Sequence, residues 1–289
     1  LRLRAPEIVI TGFDRPNLYY RVETTRRKDA FVADYVRSHP GESGIIYCAT
    51  RKNVDAVQEM LRGEDISAAR YHAGMTNEER RQSQNDFIYD AAPVIVATNA
   101  FGMGIDKSNV RYVIHYNMPQ SMENYYQEAG RAGRDGLPSQ CILLFSPQDI
   151  VINRFLLDHK ENDDLDDEAA DLLRARDNQR LQAMANYCQT TGCLRNYILR
   201  YFGEEPAEPC GSCGNCDREF EEVDMTAQAK WMINCVAETR GRYGKGVVLN
   251  TLRGANMARL RELGAMDYRS YGQLKDCTRD ELDCLLAQL

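Results

Sequence analysis

Two arginines stand three residues apart in YYQEAGRAGRDG (125–136), with Gly130, Gly133 and Gly136 spaced around them. One left-handed residue is enough to close a helix, so three glycines call for another reason. Arg131 and Arg134 alone could be surface charges that complement a helix terminus. A second segment points to different chemistry. In VIVATNAFGMGID (94–106) an apolar run leads into Thr98, followed by Gly102, Gly104 and Asp106. Glycines after a strand let backbone approach a phosphate or ribose, and the aspartate could accept a hydrogen bond from a sugar hydroxyl or hold an arginine. Together these residues describe one side of a nucleotide site. The other side is missing from the sequence. No G-x-x-x-x-G-K-[ST] occurs, and GRYGKG (241–246) lacks both the spacing and the hydroxyl. DDEAAD (166–171) follows a polar stretch, whereas a Mg²⁺-holding Walker-B carboxylate ends an apolar strand.

The ten cysteines carry a second chemistry. Cys193, Cys210, Cys213 and Cys216 have the spacing C-x₁₆-C-x₂-C-x₂-C. Four thiolates complete the tetrahedron of a structural Zn²⁺ and leave no open position. Gly211 and Gly214 permit the tight turns that bring three ligands onto one ion. Cys188 reads as an apolar helix position, and Cys48 and Cys141 sit in apolar runs. Without a secretory leader, reduced thiols and a metal site fit better than disulfides. HKE (159–161) with PCGSC (209–213) imitates the H-x-E…P-C-x-x-C signature of zinc deaminases. There, Cys193 and Cys216 would crowd the place of the reacting water.

The elements that must position these groups alternate. SGIIYCA (43–49), AARYH (68–72), APVIVAT (92–98), VRYVIHYN (110–117) and SQCILLF (139–145) are strand-like. Between them, RKNVDAVQEMLRG (51–63), TNEERRQSQNDFIY (76–89) and a stretch near 121–129 are helical, with Thr76 and Glu79 placed as a capping box. Such alternation predicts a parallel sheet covered on both faces, with ligands at the carboxyl ends of its strands. Downstream, two helices break near Gly192, and compact helical patterns run from Met225 to Leu289. The net charge of −7 argues against a nucleic-acid partner at first sight, yet ENDDLDDEAAD (161–171) accounts for all of it. This run reads as a solvated, mobile connector, and the balanced remainder leaves room for basic patches. No apolar run approaches the roughly 18 to 20 residues of a membrane span. The start, LRLRAPEIV, has neither Met nor a signal-peptide core, so a piece of a longer polypeptide is expected.

IIYCATRKNVD (45–55), YHAGM (71–75), ATNAFGMGID (97–106) and QEAGRAGRDG (127–136) resemble, in that order, the second motor domain of RecQ-type helicases of superfamily 2. The resemblance covers nearly the whole chain. It implies an α/β RecA-like parallel sheet domain (1–150), then a helical zinc-binding subdomain (151–222) and an incomplete winged-helix domain (223–289) whose wing hairpin would begin where the chain stops. In that family a first motor domain binds ATP and Mg²⁺, and the second closes over it with an arginine finger, worth ~10³ to 10⁵ in rate. Carried over, Arg134 is the expected finger and Arg131 the second ATP-facing arginine. Gln127 couples nucleotide to DNA, and Asp106 sits with Gly102 and Gly104 at the domain cleft. Thr50, Arg51, His72 and Thr98 are nominated for the phosphates of one DNA strand, and the winged helix for duplex DNA. The resemblance further implies 3′-to-5′ travel, work in recombination and repair, a cytoplasmic, nucleoid-associated location, and zinc on the four cysteines. A stand-alone zinc-containing DNA-binding module without motor activity is the competing expectation.

Overall fold

A computed structural model describes residues 12–101, 107–158, 167–206, 208–218 and 223–289. The chain divides into two compact units, Leu1–Glu219 and Phe220–Leu289. In the first, β1 (Leu18–Thr24), α1 (Lys28–Ser38), β2 (Ser43–Tyr47), α2 (Arg51–Gly63), β3 (Ala68–Tyr71), α3 (Asn77–Ile88), β4 (Val94–Ala97), β5 (Val110–His115), α4 (Met122–Ala129) and β6 (Ser139–Phe145) follow one another. The strands form a single sheet of order β1-β6-β5-β2-β4-β3. Every pairing is parallel.

Alternation along each strand builds two cores, because successive side chains point to opposite faces. Tyr47, Ile95, Val113 and Leu143 face one side with Met122 and Tyr125 of α4. Ile46, Val96, Ile114 and Leu144 face the other with Val32 of α1 and Val54 of α2. A sheet buried on both faces needs near-continuous apolar runs, as in the wholly buried SGIIY of β2. The helices begin where their caps dictate. The Glu79 N–H donates to Thr76 Oγ1 at 3.2 Å and the Thr76 N–H to Glu79 Oε2 at 2.8 Å, completing the capping box of α3.

Three further helices complete the first unit: α5 (Pro147–Asp158), α6 (Asp167–Gln189) and α7 (Leu194–Tyr201). They differ from expectation in two ways. The end of the acidic run, 167–171, is the start of α6 rather than a connector; acidic residues suit a helix N-terminus, whose dipole end is positive. The rest of that run, and His159, lie outside the described residues. The boundary at 150 also separates elements by type only. Leu181, Met184, Tyr187, Leu194 and Ile198 share one core with Tyr20 and Tyr125, so the cysteine-bearing helices are packed onto the sheet.

The second unit holds α8 (Thr226–Glu238), α9 (Lys245–Leu252), α10 (Ala258–Glu262) and α11 (Arg279–Gln288). Met232, Cys235, Leu249, Leu252, Leu274 and Leu282 form its core. Among the described residues no helix is long and apolar enough to cross a membrane.

One position tests the packing of the sheet. A Cβ on Gly44 of β2 would lie 1.9 Å from Cε2 of the buried Tyr112 ring. Gly44→Ala is expected to destabilise the protein by about 2 to 3 kcal/mol, the cost of overpacking a rigid core. The measurement is a drop in the urea midpoint at unchanged slope; a wild-type midpoint would mean the β5 ring moves aside freely.

Candidate nucleotide-facing turn, zinc centre and DNA track

The arginine turn grows from α4. Ser121 caps that helix, its Oγ accepting from the Asn124 N–H at 3.2 Å. Gly130 closes it, its N–H donating to Tyr126 O at 2.9 Å. Gln127 and Arg134 are exposed and Arg131 is half-buried. Gly133 adopts φ +57° and donates its N–H to Val110 O at 2.9 Å, while Gly136 adopts φ +81°. The close approach at Gly133 is to the protein's own Asn17, whose Nδ2 would lie 2.4 Å from an added Cβ. The glycine is therefore required by the fold itself, whatever else approaches. Asp135, between Arg134 and Gly136, pairs with Arg111 at 2.6 Å.

Both arginines act on one buried tyrosine. Burial raises the pKa of the Tyr47 hydroxyl; the charges of Arg131 and Arg134 and a hydrogen bond from Arg131 oppose this, and Glu128 reinforces it. That hydroxyl donates to Phe101 O at 3.2 Å, on the residue before Gly102. His115 stacks on Tyr47 with ring centroids 5.5 Å apart, and its Nε2 lies 2.9 Å from Glu128 Oε2. Gly102, Gly104 and Asp106 themselves lie outside the described residues.

The nominated DNA residues gather at the carboxyl ends of three adjacent strands. Thr50 follows β2 and caps α2, its Oγ1 accepting from the Asn53 N–H at 3.2 Å. Arg51 opens α2 and is exposed. Thr98 follows β4 and donates its N–H to Tyr71 O at 3.1 Å. His72 follows β3 but is buried, at 7% exposure. Its Nδ1 accepts from the Gly74 N–H at 3.2 Å and its Nε2 faces Asp55 Oδ1 at 3.1 Å. Slight burial works against the Asp55 charge, but hydrogen bonds from His72 and Arg70 hold its pKa below the usual carboxylate value. Both ring nitrogens of His72 are thus engaged within the protein. The residue supports the loop, and Arg51 lies against it: a Cβ on Gly74 would be 3.2 Å from His72 Nδ1 and 3.3 Å from Arg51 Cδ.

The four cysteines converge. One Sγ from each of Cys193, Cys210, Cys213 and Cys216 lies within 4.8 Å of the others, and Cys210 and Cys216 are 3.9 Å apart. Tetrahedral Zn²⁺ with bonds of about 2.3 Å puts its sulfurs about 3.8 Å apart, so the residues fit the ion. N–H groups already point at the thiols. Cys210 N and Asn196 N approach Cys193 Sγ at 3.3 and 3.4 Å, and Ser212 N approaches Cys210 Sγ at 3.4 Å. Burial pushes the Cys210 thiol up to about 12. For Cys213 burial is outweighed by backbone N–H groups of Cys216, Leu194 and Asn215, which bring it down to about 7.

Sequence reasoning overlooked the residues that tie these parts together. Arg15 donates through Nη1 to Gly130 O at 3.3 Å and through Nη2 to Ala132 O and Gly133 O at 3.1 Å. Asn17 Nδ2 donates to Gly133 O at 2.8 Å and Leu137 O at 3.0 Å. Arg195, two residues after Cys193, donates to Asp14 Oδ1, Arg15 O, Pro16 O and Leu18 O at 2.7 to 3.3 Å. Along β1, Leu18 O is taken by Arg195, Tyr20 O by the Gly214 N–H at 2.8 Å, and Val22 O by Arg218 at 3.3 Å. The available signal was FDRPN (13–17), two polar side chains around a proline just before a strand.

Against known proteins, three family models match in sequence order. They are the helicase conserved C-terminal domain over residues 27–136, RecQ zinc-binding over 147–217 and the RQC domain over 219–289. The ATP-dependent DNA helicase RecQ of Bacillus subtilis (strain 168) is 43% identical over 275 residues, covering 95% of this chain and 45% of the relative. The protein of the same name from Pasteurella multocida (strain Pm70) is 35% identical over 290 residues, covering 100% of this chain and 44% of the relative. The ATP-dependent helicase wrn-1 of Caenorhabditis elegans is 38% identical over 275 residues, covering 89% and 25%. The chain spans less than half the length of each of these relatives. The ordered matches agree with the parallel sheet and the four-cysteine cluster, and the chain belongs to the RecQ helicase family, of which it carries the helicase C-terminal, zinc-binding and RQC portions.

Proposed function

We propose that this chain is the C-terminal part of an ATP-dependent 3′-to-5′ DNA helicase of recombination and repair, working in the cytoplasm on the nucleoid. It supplies the arginine side of an ATP site whose phosphate cradle and Mg²⁺ ligands belong to a first motor domain of the same polypeptide. The observation that carries this reading is the turn itself. Arg131 and Arg134 extend from a glycine-rich turn whose carbonyls are fixed from behind, in a chain whose relatives are named ATP-dependent DNA helicases.

Phosphoryl transfer leaves little covalent work for the protein. Charge spreads over the γ-phosphoryl oxygens as the in-line water attacks, and guanidinium groups held in place stabilise it without reorganising. Arg134, the more exposed of the two, acts as the finger, and Arg131, beside Tyr47, is the second arginine that faces ATP. Gln127, on the exposed side of the same helix, links nucleotide state to the DNA track, while Gly102, Gly104 and Asp106 belong to the cleft. On that track Arg51 and the N–H groups at the start of α2 take phosphates, with Thr98 beside them and His72 behind them. Such contacts position a strand without reading its sequence, which suits a motor that steps along any DNA. The RQC portion takes the duplex beside the single strand.

Cys193, Cys210, Cys213 and Cys216 would hold one Zn²⁺. Bound there, the ion supplies a closed structural cross-link and no open position for chemistry. The protein's own residues do the rest by fixing the thiols with N–H donors.

Four outcomes follow from this reading. In the intact protein with DNA, Arg134→Ala should abolish ATP turnover, a loss of roughly 10³-fold or more, while ATP binding by equilibrium titration stays nearly normal; turnover close to wild type would remove Arg134 as the finger. The isolated chain should turn over no ATP. Arg51→Ala should weaken single-strand DNA binding equally for unrelated sequences and lower the salt slope by about 0.7, whereas a sequence-dependent loss would argue against a phosphate contact. Metal analysis should give one Zn²⁺ per chain, and chelation should unfold the cysteine segment, since structural zinc contributes about 10 to 16 kcal/mol to such folds. A metal-free protein with an unchanged melt would contradict the zinc assignment.

A further inference from the structure

We infer that Arg195 is a positioning residue for the nucleotide-facing turn, acting through residues 14–18, so that the zinc-bearing segment and the arginines behave as one rigid part. This rests on the reading that Arg131 and Arg134 face ATP.

The relay is a continuous set of hydrogen bonds. Arg195 lies in the first turn of α7, the helix whose N-cap is Cys193. It is 6% exposed, and its two terminal nitrogens span a fixed width. Nη1 reaches Asp14 Oδ1 at 2.9 Å and Arg15 O at 2.8 Å; Nη2 reaches Pro16 O at 3.3 Å and Leu18 O at 2.7 Å. A planar guanidinium holding carbonyls on both sides of Pro16 fixes the backbone from which the Arg15 and Asn17 side chains leave. Those side chains take the carbonyls of Gly130, Ala132, Gly133 and Leu137. The residues carrying the charge, Arg131 and Arg134, alternate with the carbonyls that are held.

Arg195 makes no hydrogen bond to the turn itself, and its role is indirect. Its buried charge is matched by Asp14, by the carbonyls and by the neighbouring Cys210 thiol, while its Nε has no hydrogen-bond partner among the described residues. Structure alone, however, would not require its partners to be the segment that holds residues 130–137. A lysine cannot replace it, because one ammonium cannot bridge carbonyls that far apart.

The test uses the intact protein with Arg195→Ala, Arg195→Lys and Arg15→Ala. Hydrogen exchange is read at residues 130–139, where the amides of Gly133, Gly136 and Ser139 donate to Val110 O, Gly133 O and Asn17 O. All three variants should speed exchange there about tenfold or more. With DNA present, kcat for ATP hydrolysis should fall roughly ten- to a hundredfold, as misplacement predicts, with KM for ATP within about twofold. Zinc content should stay at the wild-type value. Combining Arg15→Ala with Arg195→Ala should cost no more than the worse of the two alone. Arg15→Ala, remote from the cysteines, guards against a variant that merely fails to fold. If Arg15→Ala loosens residues 130–139 and Arg195→Ala does not, or if Arg195→Lys restores both exchange and kcat, the relay is overturned. Should Arg134→Ala retain turnover, the finger assignment falls; the exchange result, which uses no activity, still decides the relay.

Discussion

A turn with glycine at every third position has no strong conformational preference of its own, because glycine populates positive and negative φ alike. Its shape must be imposed from outside, and here a half-buried guanidinium does most of that work, with the Asn17 amide beside it. Arg15 takes the carbonyls of Gly130, Ala132 and Gly133, charge-assisted bonds that are stronger and more directional than neutral ones. Everything proposed for Arg131 and Arg134 depends on that grip, since electrostatic stabilisation is effective only when the charge needs no rearrangement to act. The same demand explains why the cysteine-bearing helices share a core with the sheet rather than hanging from it. Leu181, Tyr187 and Ile198 interleave with Tyr20 and Tyr125, and this packing keeps Arg195 beside its carbonyls.

The two proposed activities occupy different parts of one sheet but are joined by buried polar contacts. Tyr47 ends β2, three residues before the Thr50 cap of the DNA side, and feels both arginines of the nucleotide side. His115 ends the neighbouring strand β5 and pairs with Glu128, one helical turn ahead of Arg131. A buried hydrogen bond is costly to break because its partners would be left unsatisfied, so this group holds a definite geometry. A motor must pass changes at its nucleotide to its track, and a short, stiff connection between them is the arrangement that wastes least motion.

Much of this was legible beforehand. Strand–helix alternation gave the parallel sheet because its apolar runs are short and closed by Gly, Pro and capping residues; Thr76 and Glu79 marked the start of α3 to the residue. The cysteine spacing was legible because metal ligands must converge and the turns need glycine. Less was visible where the cause is distant in sequence. LYYRVET alternates buried Leu18, Tyr20 and Val22 with polar neighbours, a strand pattern passed over because no chemistry lies on it. Arg15, Asn17 and Arg195 act across more than a hundred residues, and no local period announces them. His72 is nominated for a phosphate through the family resemblance of YHAGM; that both its nitrogens are occupied, by Asp55 and by Gly74, emerges only when the helix and the strand are side by side.

The carbonyls along the outer border of β1 have a meaning beyond the site. β1 is the last strand of the sheet on its side, and such a border is a template on which a foreign strand can grow. Here Leu18, Tyr20 and Val22 are each covered from the cysteine-bearing segment. Loss of the metal from that segment would therefore do more than soften a subdomain. It would bare a row of unpaired acceptors beside an apolar sheet, and the first symptom in a test tube would be self-association and precipitation, ahead of any change in chemistry.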